Sequence, residues 1–436
     1  MSRSDYYIEE DMNIITSISV KGLWGTQDLD IEVNKKTNFI IGVNGTGKTT
    51  LINLLAAALT LDISKLARIE FTQIEIRLKD VSVNRRPTIL VSKIESEFSS
   101  VAIKYSIKKT IRDDAITAIF DTDISKFEGL VGFESHRRRI HSNFNYSETK
   151  ELLNDLIQVS WLSINRSENL YNREFDNKQL SNIDHKIIDL NNNLVRYFSL
   201  LSQKFSEHTV EFQKKSFLAL INNDGANAIL EFSKSIDISK EKNTLIDVFD
   251  ILGVKSKDYV RKLNDHFSRL EAVKNRNEQR GISVDDFSVL YNTWRVHALI
   301  GDYESLQEVK HSIFEHRDNF IKLLNTMFNG RKVFSVSEKN ELIVVTKDSR
   351  PIGLNELSSG EKQLLIILGE TLLQNSKHVI YIADEPELSL HIIWQEQLIS
   401  AITKLNPNTQ IIFATHSPDI VGSEQDSIIS MENLIS

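Results

Sequence analysis

Residues 38–61 read NFIIGVNGTGKTTLINLLAAALTL. The opening apolar, β-branched run predicts a buried strand, glycines at 42, 45 and 47 interrupt it, and the apolar run from Leu51 predicts a buried helix. This order constrains the fold more than any other stretch, because it requires a core strand that feeds a helix through a tight glycine loop. Gly42-Val43-Asn44-Gly45-Thr46-Gly47-Lys48-Thr49 fits G-x-x-x-x-G-K-[ST] without a mismatch. The residue types follow from the chemistry of phosphate. Glycines let the backbone wrap closely enough for successive N–H groups, from Asn44 to Thr50, to face phosphate oxygens. The following helix aims its positive end at the same point. Lys48 adds a charge for the β- and γ-phosphates, and the Thr49 hydroxyl is a Mg²⁺ ligand. A chance glycine turn would not bring the strand and the helix with it.

Three later stretches carry related chemistry. VIYIADE, 379–385, is an apolar strand ending in two acids. Asp384 is placed to hold Mg²⁺ and Glu385 to polarise a water, since successive strand-end residues point different ways. Alone, the pair reads equally well as an acidic cap after a core strand. Leu357-Ser358-Ser359-Gly360-Glu361-Lys362-Gln363 opens the apolar helix LLIILGETLL. A serine–glycine turn at a helix start is an anion site, or an ordinary helix cap with an acid in its first turn. IIFATHSPDIV, 411–421, is a buried strand ending in Thr415-His416-Ser417. A histidine there reaches a phosphate or a water, although a lone histidine is more often structural.

The rest of the chain sets the organisation. Its 436 residues are too many for one ordinary core. Residues 70–120 alternate apolar and polar, as antiparallel strands with one wet face do. IQVSWLSI, 157–164, is a further strand. The middle is polar and helical. There Ile183, Ile187, Leu190, Leu194, Tyr197 and Leu201 form a seam of under three heptads, which reads as one long amphipathic helix rather than a coiled-coil arm. Strands return at 332–346. The expectation is an α/β head split in two: 1–169 with the phosphate loop and an antiparallel β subdomain, 170–328 as a helical insertion, and 329–436 as the second part of the head. The net charge of −8 confines any nucleic-acid contact to a local patch. The absence of cysteine excludes disulfides, thiol catalysis and cysteine-ligated zinc. The acidic start MSRSDYYIEEDMN is no signal peptide, and LLAAAL, 54–59, is too short to span a bilayer, so a cytoplasmic protein without membrane contact is expected.

Together the four motifs, in this order, resemble the ATP-binding-cassette (ABC) ATPases. LSSGEKQ, DEPELSLH and ATHSP look like the SMC, RecF and OLD-type branch, the bacterial AAA-like P-loop ATPases with a cassette head. The resemblance implies two ATPs held between two heads, with the phosphate loop of one copy facing the signature of the other. Ser358, Ser359, Gly360 and Glu361 would then be the signature acting in trans, with Ser358 and Gly360 on the γ-phosphate bound by the partner copy. Glu385 would be the general base, His416 the switch residue, and Thr49 and Asp384 the Mg²⁺ ligands. ATP would close a homodimer, open to higher assembly, and hydrolysis would reopen it. Ser359 and Glu361 depart from the transporter signature. His391 stands where transporters carry aspartate, so coupling through that loop does not carry over. The glutamine loop falls near IQVSWLSINR, which makes Asn165 and Arg166 its candidates.

Only 20 residues follow His416, so the nuclease domain of OLD-type proteins is expected to be absent. HRRRIH, 136–141, lacks the further ligands of an HNH centre and reads as a solvated basic loop able to touch DNA phosphates. A head without a nuclease resembles the ATPases of Septu and some retron anti-phage systems, which work beside an HNH nuclease. The expected function is an ATP-driven switch that senses or acts on nucleic acid and controls a separate effector nuclease. A RecF- or SMC-like repair ATPase is the alternative. A nucleotide-gated scaffold would show little turnover with or without DNA. A transporter subunit would have its signature much sooner after the phosphate loop.

Overall fold

A computed structural model describes residues 13–81, 83, 85–95, 101–121, 146–162, 181–219, 229, 236–251, 253–275 and 283–435. Asn165, Arg166 and the 136–141 loop lie outside the described residues. The described chain forms two compact units, 1–195 with 319–436, and 196–318.

The first unit is mixed α/β. Its parallel sheet has the order β14-β3-β13-β12-β8, with β3 (Thr37–Ile41), β8 (Gln158–Leu162), β12 (Val379–Asp384), β13 (Thr409–Ala414) and β14 (Ile428–Ser430). Every residue of β12 and β13 is buried, which explains why both read as unbroken apolar runs. Strand β3, from the start of the chain, lies between β14 and β13 from its end. The two halves of the sequence therefore share one sheet.

A six-stranded antiparallel sheet has the order β2-β1-β4-β5-β6-β7. It comprises β1 (Asn13–Leu23), β2 (Gln27–Glu32), β4 (Gln73–Asp80), β5 (Thr88–Ile94), β6 (Ala102–Lys108) and β7 (Ile116–Asp121). Its alternation turns Ile74, Ile76 and Leu78 inward, with Ile89, Val91, Ile103 and Tyr105 beside them. Helix α1 (Lys48–Thr60) shares one core with both sheets, and this is why LINLLAAAL is apolar on all sides. The Gln410 side chain on β13 accepts from Ile15 N–H (2.8 Å) and donates to Ile15 C=O (2.8 Å) and Asn34 C=O (2.7 Å), so a buried amide stitches the sheets together. The short α2 (Ile63–Arg68) and α3 (Tyr146–Leu156) flank this core. A third sheet, β11-β10-β9, joins β9 (Lys332–Val336), β10 (Leu342–Thr346) and β11 (Pro351–Ile352).

Two long helices, α4 (Asn182–Ala219) and α7 (Val284–Phe328), pass from one unit to the other. The heptad-spaced seam lies on α4, where Ile187, Leu190 and Leu194 are buried together with Phe198, which the 4-3-4 spacing did not include. The second unit adds α5 (Ile238–Ile251) and α6 (Ser256–Lys274). It has its own core, in which the α6 stripe Tyr259, Leu263, Phe267 and Leu270 meets Leu290 of α7. The remaining helices of the first unit are α8 (Ser359–Leu373), α9 (Ile392–Leu405), α10 (Pro418–Val421) and α11 (Met431–Ile435).

Candidate functional site

The site forms at the C-terminal ends of β3, β12 and β13, where an open parallel sheet places its ligands. Past β3 the loop turns on Gly45 (φ 88°) and Gly47 (φ 87°), a region that disfavours any side chain. Space around Gly45 is open, whereas a Cβ added at Gly47 would lie 1.9 Å from the Trp24 ring. No side chain caps α1 at Gly47, so its first N–H groups remain donors for an anion. Asn44 is exposed, Thr46 donates to Val43 C=O (2.8 Å), and Thr50 is half-buried in the first turn. Buried Lys48 stretches its ammonium over the loop, donating to Gly42 C=O (2.7 Å) and Val43 C=O (3.1 Å).

The Thr49 hydroxyl donates to Asp384 Oδ1 at 3.2 Å, joining residues 335 positions apart. Burial pushes the Asp384 carboxyl up to about 6, and the charges of Glu385 and Glu387 add to this, against the Thr49 hydrogen bond and Lys48. A buried carboxylate beside a hydroxyl, with like charges nearby, is a donor set that gains from a divalent cation. Mg²⁺ needs no more than one or two such protein ligands when a triphosphate supplies others. The pair Thr49 and Asp384 thus fits Mg²⁺. Among the described residues no cluster of three or more His, Asp or Glu is arranged to hold a metal by itself.

Glu385 adopts φ 48°, rare for a residue with a side chain, and its N–H donates to Ala414 C=O (2.8 Å). Its carboxylate thereby turns toward His416, whose Nε2 is 3.8 Å from Glu385 Oε1. Asp384, Glu385 and His416 are thus gathered with the phosphate loop. The signature residues hydrogen-bond elsewhere. Ser358 and Glu361 form a reciprocal capping box on α8, and Lys332 Nζ pairs with Glu361 Oε2 at 2.5 Å. Lys332, with Ser358, holds the Glu361 carboxyl below its usual range against the effect of burial. Ser358 and Ser359 are exposed, while a Cβ at Gly360 would lie 2.1 Å from Ser389 C=O. His391 caps α9, accepting from Ile393 N–H at 3.4 Å.

Three residues escaped the motif reading. Trp24 sits at the β1–β2 turn in a left-handed conformation against Gly47; a tryptophan between two turn glycines was its signal. Glu432 on α11 accepts from Val43 N–H at 2.7 Å, and that bond above all lowers its carboxyl. Glu387 holds the histidine loop. Glu387 lies inside the DEPELSLH stretch, but its role, like that of Glu432, is set by partners 28 and 389 residues away.

The fold and site define a P-loop head of mixed α/β class, with a parallel sheet, a glycine-rich loop and an acid pair at one end of it. The chain matches the family model AAA_15, AAA ATPase domain, over residues 12–421, and it belongs to that family. It is similar to "Retron Vc95 probable ATPase" of Vibrio cholerae serotype O1 biovar El Tor, with 24% identity over 422 residues, 91% of this chain and 69% of the relative. It is also similar to "Retron Ec83 probable ATPase" of Escherichia coli, with 21% identity over 413 residues, 90% of this chain and 66% of the relative. The chain thus spans about two thirds of the length of these curated relatives. Among solved structures it is similar to the Smc head domain with an extended coiled coil bound to the C-terminal domain of ScpA from Pyrococcus furiosus (TM-score 0.47, 13% identical, covering 96% of this chain and 93% of that one). No helix among the described residues is long and apolar enough to cross a membrane.

Proposed function

We propose that the protein binds ATP with Mg²⁺, closes as a homodimer around it, hydrolyses it, and through this cycle controls a separate effector nuclease in response to nucleic acid. The observation that carries the reading is the meeting of Thr49 with Asp384 and of Glu385 with His416 at one end of the parallel sheet. Mg²⁺, when bound, would neutralise charge on the phosphates. Lys48 and the N–H groups from Asn44 to Thr50 bind the triphosphate. Thr49 and Asp384 hold the metal side. Glu385 orients the attacking water and takes its proton, and His416 steadies the γ-phosphate side. Ser358, Ser359, Gly360 and Glu361 act on the nucleotide of a second copy. Exposed apolar Val43, Leu388, Ile392 and Ile393 border these loops and favour a surface covered on closure. The organisation that goes with this is a head of 1–169 and 329–436 carrying the insertion 170–328.

Similarity to the two retron ATPases supports placing the switch in a retron system, and the motif resemblance to Septu and retron ATPases is the ground for proposing an anti-phage role with an HNH nuclease as the partner. A RecF- or SMC-like repair role is the second reading, favoured by the motif set alone. The test is Glu385→Gln. The variant should keep ATP, lose about 10²–10⁴-fold in turnover, and double its mass by light scattering when ATP is present. Hydrolysis at the parent rate would remove Glu385 from its role. Copurification from the native host with ATP, followed by mass measurement, separates the readings. A small nuclease supports defence, and repair factors support the alternative.

A further inference from the structure

Glu387 has no part in the chemistry outlined above, yet it is buried at the centre of it. It lies two residues beyond Glu385, is 9% exposed, and adds to the field that raises Asp384. A single oxygen, Oε1, collects three donors from the far side of the site: Thr415 Oγ1 at 2.6 Å, His416 N–H at 2.8 Å and Ser417 N–H at 3.2 Å. The other oxygen, Oε2, is buried without a hydrogen-bond partner. A buried carboxylate oxygen without a donor opposes folding. The three donors converge on Oε1 alone, so this carboxylate is the tie between the acidic loop and the histidine loop.

The surrounding contacts show what the carboxylate fastens. Pro386 C=O accepts from Gln363 Nε2 of α8 at 2.5 Å, and Gly360 allows Ser389 C=O to pack against the start of the same helix. The Ser417 hydroxyl donates to Gln395 Oε1 (2.6 Å), and Gln395 Nε2 returns to Leu390 C=O (2.9 Å). The 385–390 loop is thus pinned to α8 on one side and to the histidine loop on the other. The backbone that carries His416 is attached to it through one carboxylate oxygen.

We propose that Glu387 is a positioning residue. It locks the Thr415–Ser417 backbone to the acidic loop and so sets His416 at its distance from Glu385. The inference rests on the hydrolytic reading of the site for its consequence, but not for its geometry. Two measurements on the full chain therefore test it separately. Hydrogen exchange followed by mass spectrometry reads the peptide containing 415–417 without nucleotide. Glu387→Ala should speed exchange of the His416 amide about tenfold or more, since the Ser417 N–H keeps Thr415 Oγ1 as an acceptor at 3.0 Å, while Glu387→Gln, whose amide oxygen still accepts, should stay near the parent. Parent-like exchange in the alanine variant overturns the placement.

Kinetics reads the consequence. Glu387→Ala should lower kcat about 10–100-fold, the scale of a misplaced catalytic group, with KM for ATP within about twofold of the parent. Glu387→Gln should recover most of the rate. Adding Glu387→Ala to His416→Ala should slow the enzyme no further than His416→Ala alone, because both changes act through one imidazole. Losses that multiply, or a glutamine variant as slow as alanine, overturn the proposal. Where alanine at 387 does not fold, Thr415→Val removes one of the three donors and carries the same two measurements. A parent chain that does not turn over ATP sinks the hydrolytic reading alone, and the exchange result still decides the placement.

Discussion

Gly47 and Lys48 sit side by side and depend on different physics. At Gly47 a positive φ coincides with a tryptophan ring where a Cβ would be. Gly47→Ala should therefore distort the loop by both routes and weaken ATP binding by at least about tenfold, while Trp24→Ala relieves only the steric part. Fluorescent-nucleotide titration of both single variants and the double variant checks this, since recovery in the double isolates the ring. Lys48→Ala should abolish ATP binding in calorimetry, and unchanged affinity would remove the loop from its role. Asp384 predicts a pH dependence. Its carboxyl, raised to about 6, takes up a proton as pH falls through that value, and Mg²⁺ competes with the proton. Mg²⁺-dependent ATP affinity should thus weaken from pH 7 to pH 5, and Asp384→Asn should flatten the profile. The motifs that hold Lys48, Thr49, Asp384 and Glu385 stood out in the chain because each is short and its chemistry local, and the structure brings Thr49 to Asp384. The roles of Glu387, although it sits in DEPELSLH, and of Glu432 were not readable, since a glutamate's hydrogen-bond role is not known until its donors are.

Elements meet through a few polar contacts that no periodicity reveals. Lys362, in the helix after the signature, pairs with Asp184 at the start of α4 at 2.7 Å, and Ser181 adds a bond to the same carboxylate. The Lys362 and Ser181 bonds hold Asp184 down at about 2. A carboxyl depressed in the folded state adds stability above its unfolded value near 4, and that stability is lost as pH falls from about 4 to 2. Acid unfolding followed by circular dichroism should show this window, and Lys362→Met should remove it while sparing stability at pH 7 less than a simple surface change would. Gln410 makes a second case. Gln410→Leu leaves Ile15 N–H and C=O buried and unpaired and should cost about 1–3 kcal/mol for each group, read from denaturant midpoints. The strands and helices themselves were visible as alternation in 70–120 and as apolar runs at 51–61 and 379–384. Periods of two residues in strands and about 3.6 in helices follow directly from where backbone geometry points each side chain.

At the scale of the whole molecule, the two units have separate cores. Phe267→Ala removes a ring that is 3% exposed in the core of the second unit and should cost about 3–5 kcal/mol there. Exchange in α6 should rise while ATP affinity in the first unit is retained, and a parallel loss of affinity would show that the units do not fold independently. What the sequence by itself determined was the presence of a glycine-rich loop between strand and helix, an acid pair, a serine–glycine helix start and a strand-end histidine, together with the strands and helices that carry them. Each is encoded within about ten residues, where spacing alone sets geometry. Only the tertiary structure decided how they combine. It placed β3 between β14 and β13, turned Glu385 to His416, set Trp24 against Gly47 and tied Thr415, His416 and Ser417 to Glu387. Those arrangements depend on sheet order and on contacts across hundreds of residues, and short-range patterns of polarity contain no record of which distant segments will be neighbours.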